Sequence, residues 1–92
     1  PLKYPEVEPV FIVHCHRCHH KDHSTNTKAM AVYEGSAYPF PSTDRPDRIL
    51  AGLEDMFRTR RGLDDAERCL ALTWIAGGAR DSEGNLPPWP QP

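Results

Sequence analysis

The chain has 92 residues, a net charge of −2 with histidine neutral, and a hydrophobic share of 38%. That is the length of one small domain, spanning residues 1–92, whose apolar share lies below the roughly 45–50% of ordinary globular chains. Such a core needs a staple in the form of a disulfide, a metal, a cofactor or a partner. The charge argues against a nucleic-acid partner, and no run approaches the roughly 18 apolar residues of a membrane span.

Pro1 to Pro5 reads as an extended lead-in. The start at proline rather than methionine is that of a mature or excised form. Val7, Val10, Phe11, His14 and Cys18 then recur at helical spacing, which predicts a first helix from about Glu6 to His16. Lys21 to Asn26 is polar, and Thr27 to Tyr33 is short enough to be a single helical turn closed by Gly35. Gly35 to Asp44 holds two prolines and no periodicity, so an irregular loop is expected, with Tyr38 and Phe40 as aromatics to cover one edge of a buried plate.

Pro46 suits the first turn of a helix, and Ile49, Leu50, Leu53 and Phe57 follow at helical spacing; a second helix is predicted from about Pro46 to Asp55. Met56 to Gly62 reads as a connecting loop. Asp64 and Glu67 form a capping-box pattern, and Gly77-Gly78 is a stop signal, so the last helix is predicted over Asp65 to Ala76. Cys69 falls among Ala66, Leu70 and Leu72 and is expected as a small buried hydrophobe. Residues 80–92 form a Pro-rich tail, whose Asn85 to Pro92 cannot continue a helix and reads as an extended flap or linker.

Cys15-His16-Arg17-Cys18-His19 is the most specific pattern in the chain. Two thiols three positions apart can each form a thioether with a vinyl group of one haem, and the adjacent histidine can then bind its iron. Two other chemistries compete. Cys15, Cys18 and His23 have the spacing that begins a zinc knuckle, but the fourth ligand belongs at position 28, where Lys28 stands; His19, His20 or Cys69 would have to substitute. A redox dithiol needs a preceding strand and a βαβ context, and neither pattern is present. The odd count of three cysteines argues against a complete disulfide framework.

Glu8-Pro9-Val10-Phe11-Ile12-Val13-His14 leading into Cys15-His16-Arg17-Cys18-His19 resembles the entry of monohaem cytochrome c domains. Leu63 to Glu67 followed by Trp74-Ile75-Ala76-Gly77-Gly78-Ala79 is similar to their ending. The likeness is to the planctomycete-type branch of bacterial cytochromes c and spans about residues 5 to 80, with the middle unmatched. It implies an all-α, class I cytochrome c fold of about three to four helices around one covalent haem c. Cys15 and Cys18 would carry the thioethers and His19 would be the proximal iron ligand. A methionine from a loop before the last helix would be the distal ligand. Met56 matches that place; Met30 is its rival, and a histidine or an open position is the remaining alternative.

His14, His16, His20 and His23 are expected to pack or to face solvent. Arg48, Arg58, Arg60 and Arg61 are candidate propionate partners, because a guanidinium fork matches a carboxylate, and Trp74 and Tyr38 are further candidate donors. The expected function is electron transfer between redox partner proteins rather than catalysis, in the periplasm or on an exported protein of bacteria. The chain would act as a free carrier or as the haem domain of a larger oxidoreductase. The alternatives are a zinc-stabilised interaction module built on Cys15, Cys18 and nearby histidines, and a haem protein with an open iron position.

Overall fold

Tyr4 opens the first helix of the computed structural model, which describes every residue from Pro1 to Pro92. The helices are α1 (Tyr4–His14), α2 (His16–His19), α3 (Thr27–Val32), α4 (Ile49–Thr59) and α5 (Asp65–Ala76). The chain is all-α, with only isolated bridges between Lys3 and Arg80 and between Glu34 and Ser42. No helix is long and apolar enough to cross a membrane.

α1 starts earlier than its periodicity suggests because Pro5 occupies the first turn, where a missing N–H costs nothing. The Lys3 backbone N–H donates to Glu6 Oε2 at 2.7 Å, closing that end. Tyr4, Val7, Val10 and Phe11 bury the inner face. The predicted single helix to His16 is interrupted at Cys15, whose φ of −120° leaves the helical region; α2 then forms one further turn.

α3 is capped by the Asn26 side chain, which accepts from the Ala29 N–H at 3.0 Å, and it buries no residue. α4 differs from its predicted span at both ends. Pro46 to Arg48 form a turn outside the helix, and the helix runs on to Thr59, carrying Met56 and Phe57 with it. Its buried face is Ile49, Leu50, Leu53 and Phe57. Arg68 Nη2 donates to the Arg60 carbonyl at 2.8 Å, and its Nη1 bonds the Phe57 carbonyl, so α5 satisfies the C-terminal end of α4.

α5 has the predicted span. Asp64 Oδ1 accepts from the Glu67 N–H at 2.7 Å and Glu67 Oε1 accepts from the Asp64 N–H at 3.1 Å, a complete capping box. The left-handed residue at its end is Gly78, with φ of +108°, where a Cβ would also meet Leu86 Cδ2 at 2.5 Å. Cys69 is exposed, contrary to expectation. The buried positions are Ala71, Trp74 and Ile75, and Cys69 stands about 200° around the helix from Ala71.

α1 packs on α2 and α5, α4 packs on α5, and α2 packs on α3. Every Phe, Tyr and Trp of the chain has at least one other aromatic ring against it. The Pro-rich tail joins this core: Trp89 is only 9% exposed, stacks on Phe40 and meets Tyr38 edge-on. Gln91 Nε2 donates to the Gly78 carbonyl at 3.0 Å, fixing the tail to the end of α5.

Candidate cofactor site

The break at Cys15 decides where the cysteines and histidine point. Because α1 stops at His14 and α2 restarts at His16, the whole Cys15–His19 segment turns along one edge of the molecule. Cys15, Cys18 and His19 all line a single cleft of about 740 Å³ there. That volume falls within the roughly 300–1,000 Å³ of cofactor and small-molecule sites. Asn26, Ala29, Val32 and Tyr33 line it from α3 and its ends, and Ile49, Ala51, Gly52, Leu53, Asp55 and Met56 line it from α4.

Both thiols are free; Cys15 is buried and Cys18 exposed. Burial raises the Cys15 thiol above its ordinary value, against the opposing influence of the Tyr33 hydroxyl and Arg60. The His19 ring lies parallel to Tyr33 with centroids 3.9 Å apart, and His19 Nδ1 pairs with the Tyr33 carbonyl at 3.1 Å. A carbonyl only accepts, so Nδ1 carries the proton and Nε2 keeps its lone pair, the state in which histidine binds a metal. Burial holds the His19 imidazole below its ordinary value, with the backbone carbonyls of Tyr33 and Ala29 opposing.

The chain that follows His19 is tied back to it. The Gly35 N–H bonds the His19 carbonyl. Glu34, 7% exposed, accepts from the Lys21 N–H at 2.9 Å, the Ser36 N–H at 3.1 Å and the Ser36 hydroxyl at 2.6 Å. Burial alone would raise the Glu34 carboxyl, but these donors outweigh it and hold it below its ordinary value. A charged carboxylate with three donors is a stable anchor for a loop.

Met56 lines the cleft from α4 and is 41% exposed. It stands within a helix rather than on the loop that the resemblance implies. Met30, on α3, is not among the lining residues. Arg48 and Arg60 do line the cleft, as does Arg45, which the sequence reading passed over. Arg58 instead pairs with Glu54 at 3.4 Å, and Arg61 lies outside the lining. Tyr38 and Trp74 are satisfied elsewhere, by the carbonyls of Ala79 at 2.8 Å and Arg80 at 2.9 Å.

His14 lines the cleft and bonds Glu67 Oε2 at 2.8 Å, joining the end of α1 to the first turn of α5. Outside the cleft, the His20 ring lies tilted against those of His16 and His23, with centroids 4.7 and 4.6 Å apart. No three His, Cys, Asp or Glu side chains come together as a ready metal-binding group.

Tyr33 and Gly52, like Arg45, line the cleft without a signal of their own in the sequence. Tyr33 reads as the end of a short mixed stretch, and its role comes from a ring stack to a residue 14 positions earlier. Gly52 falls inside the predicted second helix, yet a Cβ there would meet nothing within 4 Å and it lines the cleft. Comparison of the chain with family models, with curated proteins and with solved structures returned no match.

Proposed function

We propose that the chain is a monohaem c-type electron-transfer module. The observation that carries this reading is the arrival of Cys15, Cys18 and His19 in one cofactor-sized cleft that Met56 also lines. The residues present fit the group. Two free thiols three positions apart suit two thioethers, and a histidine with Nδ1 committed to a carbonyl suits axial ligation. Ile49, Leu53, Val32 and Ala29 offer apolar wall, while Arg45, Arg48 and Arg60 offer partners for two carboxylates.

When bound, the haem would supply a one-electron Fe(II)/Fe(III) couple. The chain's part is to hold it, to exclude water with the apolar wall and to set the potential through the axial groups. His19 and the Met56 thioether would both hold the iron and leave no position for a substrate, so the module would relay electrons to redox partner proteins rather than transform a substrate. The same site serves a free carrier or the haem domain of a larger oxidoreductase. Covalent haem attachment places either of them in the bacterial periplasm or on an exported protein.

Expression with haem-attachment machinery tests the reading. The expected product carries one covalent haem, with sharp α and β bands when reduced, and Met56→Ala loses the sulfur-to-iron near-infrared band and lowers the potential. A colourless protein containing zinc would sink the proposal. A wild-type near-infrared band that survives Met56→Ala would remove Met56 from the iron.

A further inference from the structure

Tyr33 meets His19 at two points. Its ring lies against the His19 imidazole, 3.9 Å between centroids and 4° between planes. Its carbonyl pairs with His19 Nδ1 at 3.1 Å. Tyr33 is itself immobilised: it is 4% exposed, and Phe40 stacks against it at 4.4 Å with planes 25° apart. Trp89 stacks on Phe40 in turn, at 5.7 Å.

These contacts do different work. A carbonyl partner selects which nitrogen of a histidine holds the proton, but the ring can still rock about that bond. A flat ring packed against the imidazole, and backed by a second ring, removes the rocking. An apolar residue of equal bulk would fill the space without fixing a plane, because aromatic pairs have preferred offsets and angles that aliphatic contacts lack.

We infer that Tyr33 is a positioning residue that fixes the plane of the His19 ring before the cofactor arrives. The inference rests on the haem reading above. Its logic is preorganisation: a ligand held in its productive orientation loses less freedom on binding. Tyr33 meets the histidine with both its ring and its carbonyl, so the orientation of that imidazole is set by a single residue anchored in the core.

The full 92-residue chain without attached haem, as wild type, Tyr33→Phe and Tyr33→Leu, provides the test. Both substitutions keep the backbone carbonyl. Tyr33→Phe removes only the hydroxyl, and Tyr33→Leu removes the flat ring as well. Titration with ferric haem, followed by the Soret band, should show Tyr33→Leu weakened about tenfold, at the lower end of the roughly 10–100-fold cost of losing a partner of a ligating histidine. Tyr33→Phe should stay within about twofold of wild type, since it keeps the stack. In proton NMR of the haem-free chain, the His19 ring protons should be displaced upfield by the Tyr33 ring in wild type and Tyr33→Phe, and not in Tyr33→Leu.

Equal haem affinity in all three chains would overturn the inference. So would a wild-type spectrum without displaced His19 ring protons, a readout that holds even if Tyr33→Leu does not fold. A wild type that shows no Soret shift at all would overturn the haem reading and the inference with it, an outcome that the wild-type titration alone distinguishes.

Discussion

A glycine in a helix interior costs about 1 kcal/mol relative to alanine, and the backbone of α4 does not require one at Gly52. An added Cβ would meet no atom within 4 Å, because the position faces the cleft. Stability and binding are therefore expected to respond in opposite directions. Gly52→Ala should stabilise the haem-free chain by about 0.5–1 kcal/mol in urea unfolding. Gly52→Leu should leave the fold intact and sharply reduce haem uptake, because the side chain enters the space the cofactor needs. Unchanged uptake by Gly52→Leu would mean that the cofactor does not approach α4 at that turn. At this scale the sequence was most informative where the residues are neighbours. Cys15, Cys18 and His19 could be singled out as candidates because the chemistry proposed for them depends on spacing along five consecutive positions. Arg45 and Tyr33 were not, because their place in the cleft depends on how α3, α4 and the loop between them come together.

Among the elements, α5 was read correctly because its signals are local: a capping box at Asp64 and Glu67 and glycine after Ala76. α4 was cut short at Asp55 although Phe57 continued its apolar spacing. The lost turn is the one that carries Met56, so a boundary error became an error about whether a site residue sits on a loop or a helix. The buried face of α5 was misjudged at Cys69 because Ala66 and Leu70 suggested a stripe displaced from Ala71, Trp74 and Ile75. Glu67 links two elements, since one oxygen closes the cap and the other holds His14 of α1. Its carboxyl is held below its ordinary value by the Asp64 backbone N–H and then by His14. A carboxyl depressed in the folded state adds stability above its unfolded value of about 4.3, and that contribution disappears as pH falls through the folded value. The urea midpoint of wild type should exceed that of Glu67→Gln near neutral pH, and the gap should close as the solution is acidified through that range. A gap independent of pH would assign the effect to shape rather than charge.

At the scale of the molecule, a radius of gyration of 12.1 Å is that of a compact chain of this length, yet a cleft of about 740 Å³ opens along one side. α3 forms part of its wall and buries no residue, so it is held by its packing on α2, its cap and the bonds from Thr43 and Asp44 rather than by a buried face. This is where a low apolar content shows itself, and where a staple would act. Amides of α3 should exchange rapidly with deuterium in the haem-free chain and become protected once haem is attached, whereas those of α5 should be protected in both forms. Equal protection of α3 in the two forms would place the cofactor away from that wall. That α3 buries no residue was not legible in composition, because burial is decided by how the elements come together.

The aromatic network that joins α1, α4, α5 and the Pro-rich tail has an optical consequence. Both tryptophans belong to it, Trp74 from α5 and Trp89 from the tail, and each lies against Tyr38. Their emission therefore reports on the same packed region, and a spectral change cannot be divided between the helical body and the tail without replacing one of the two indoles.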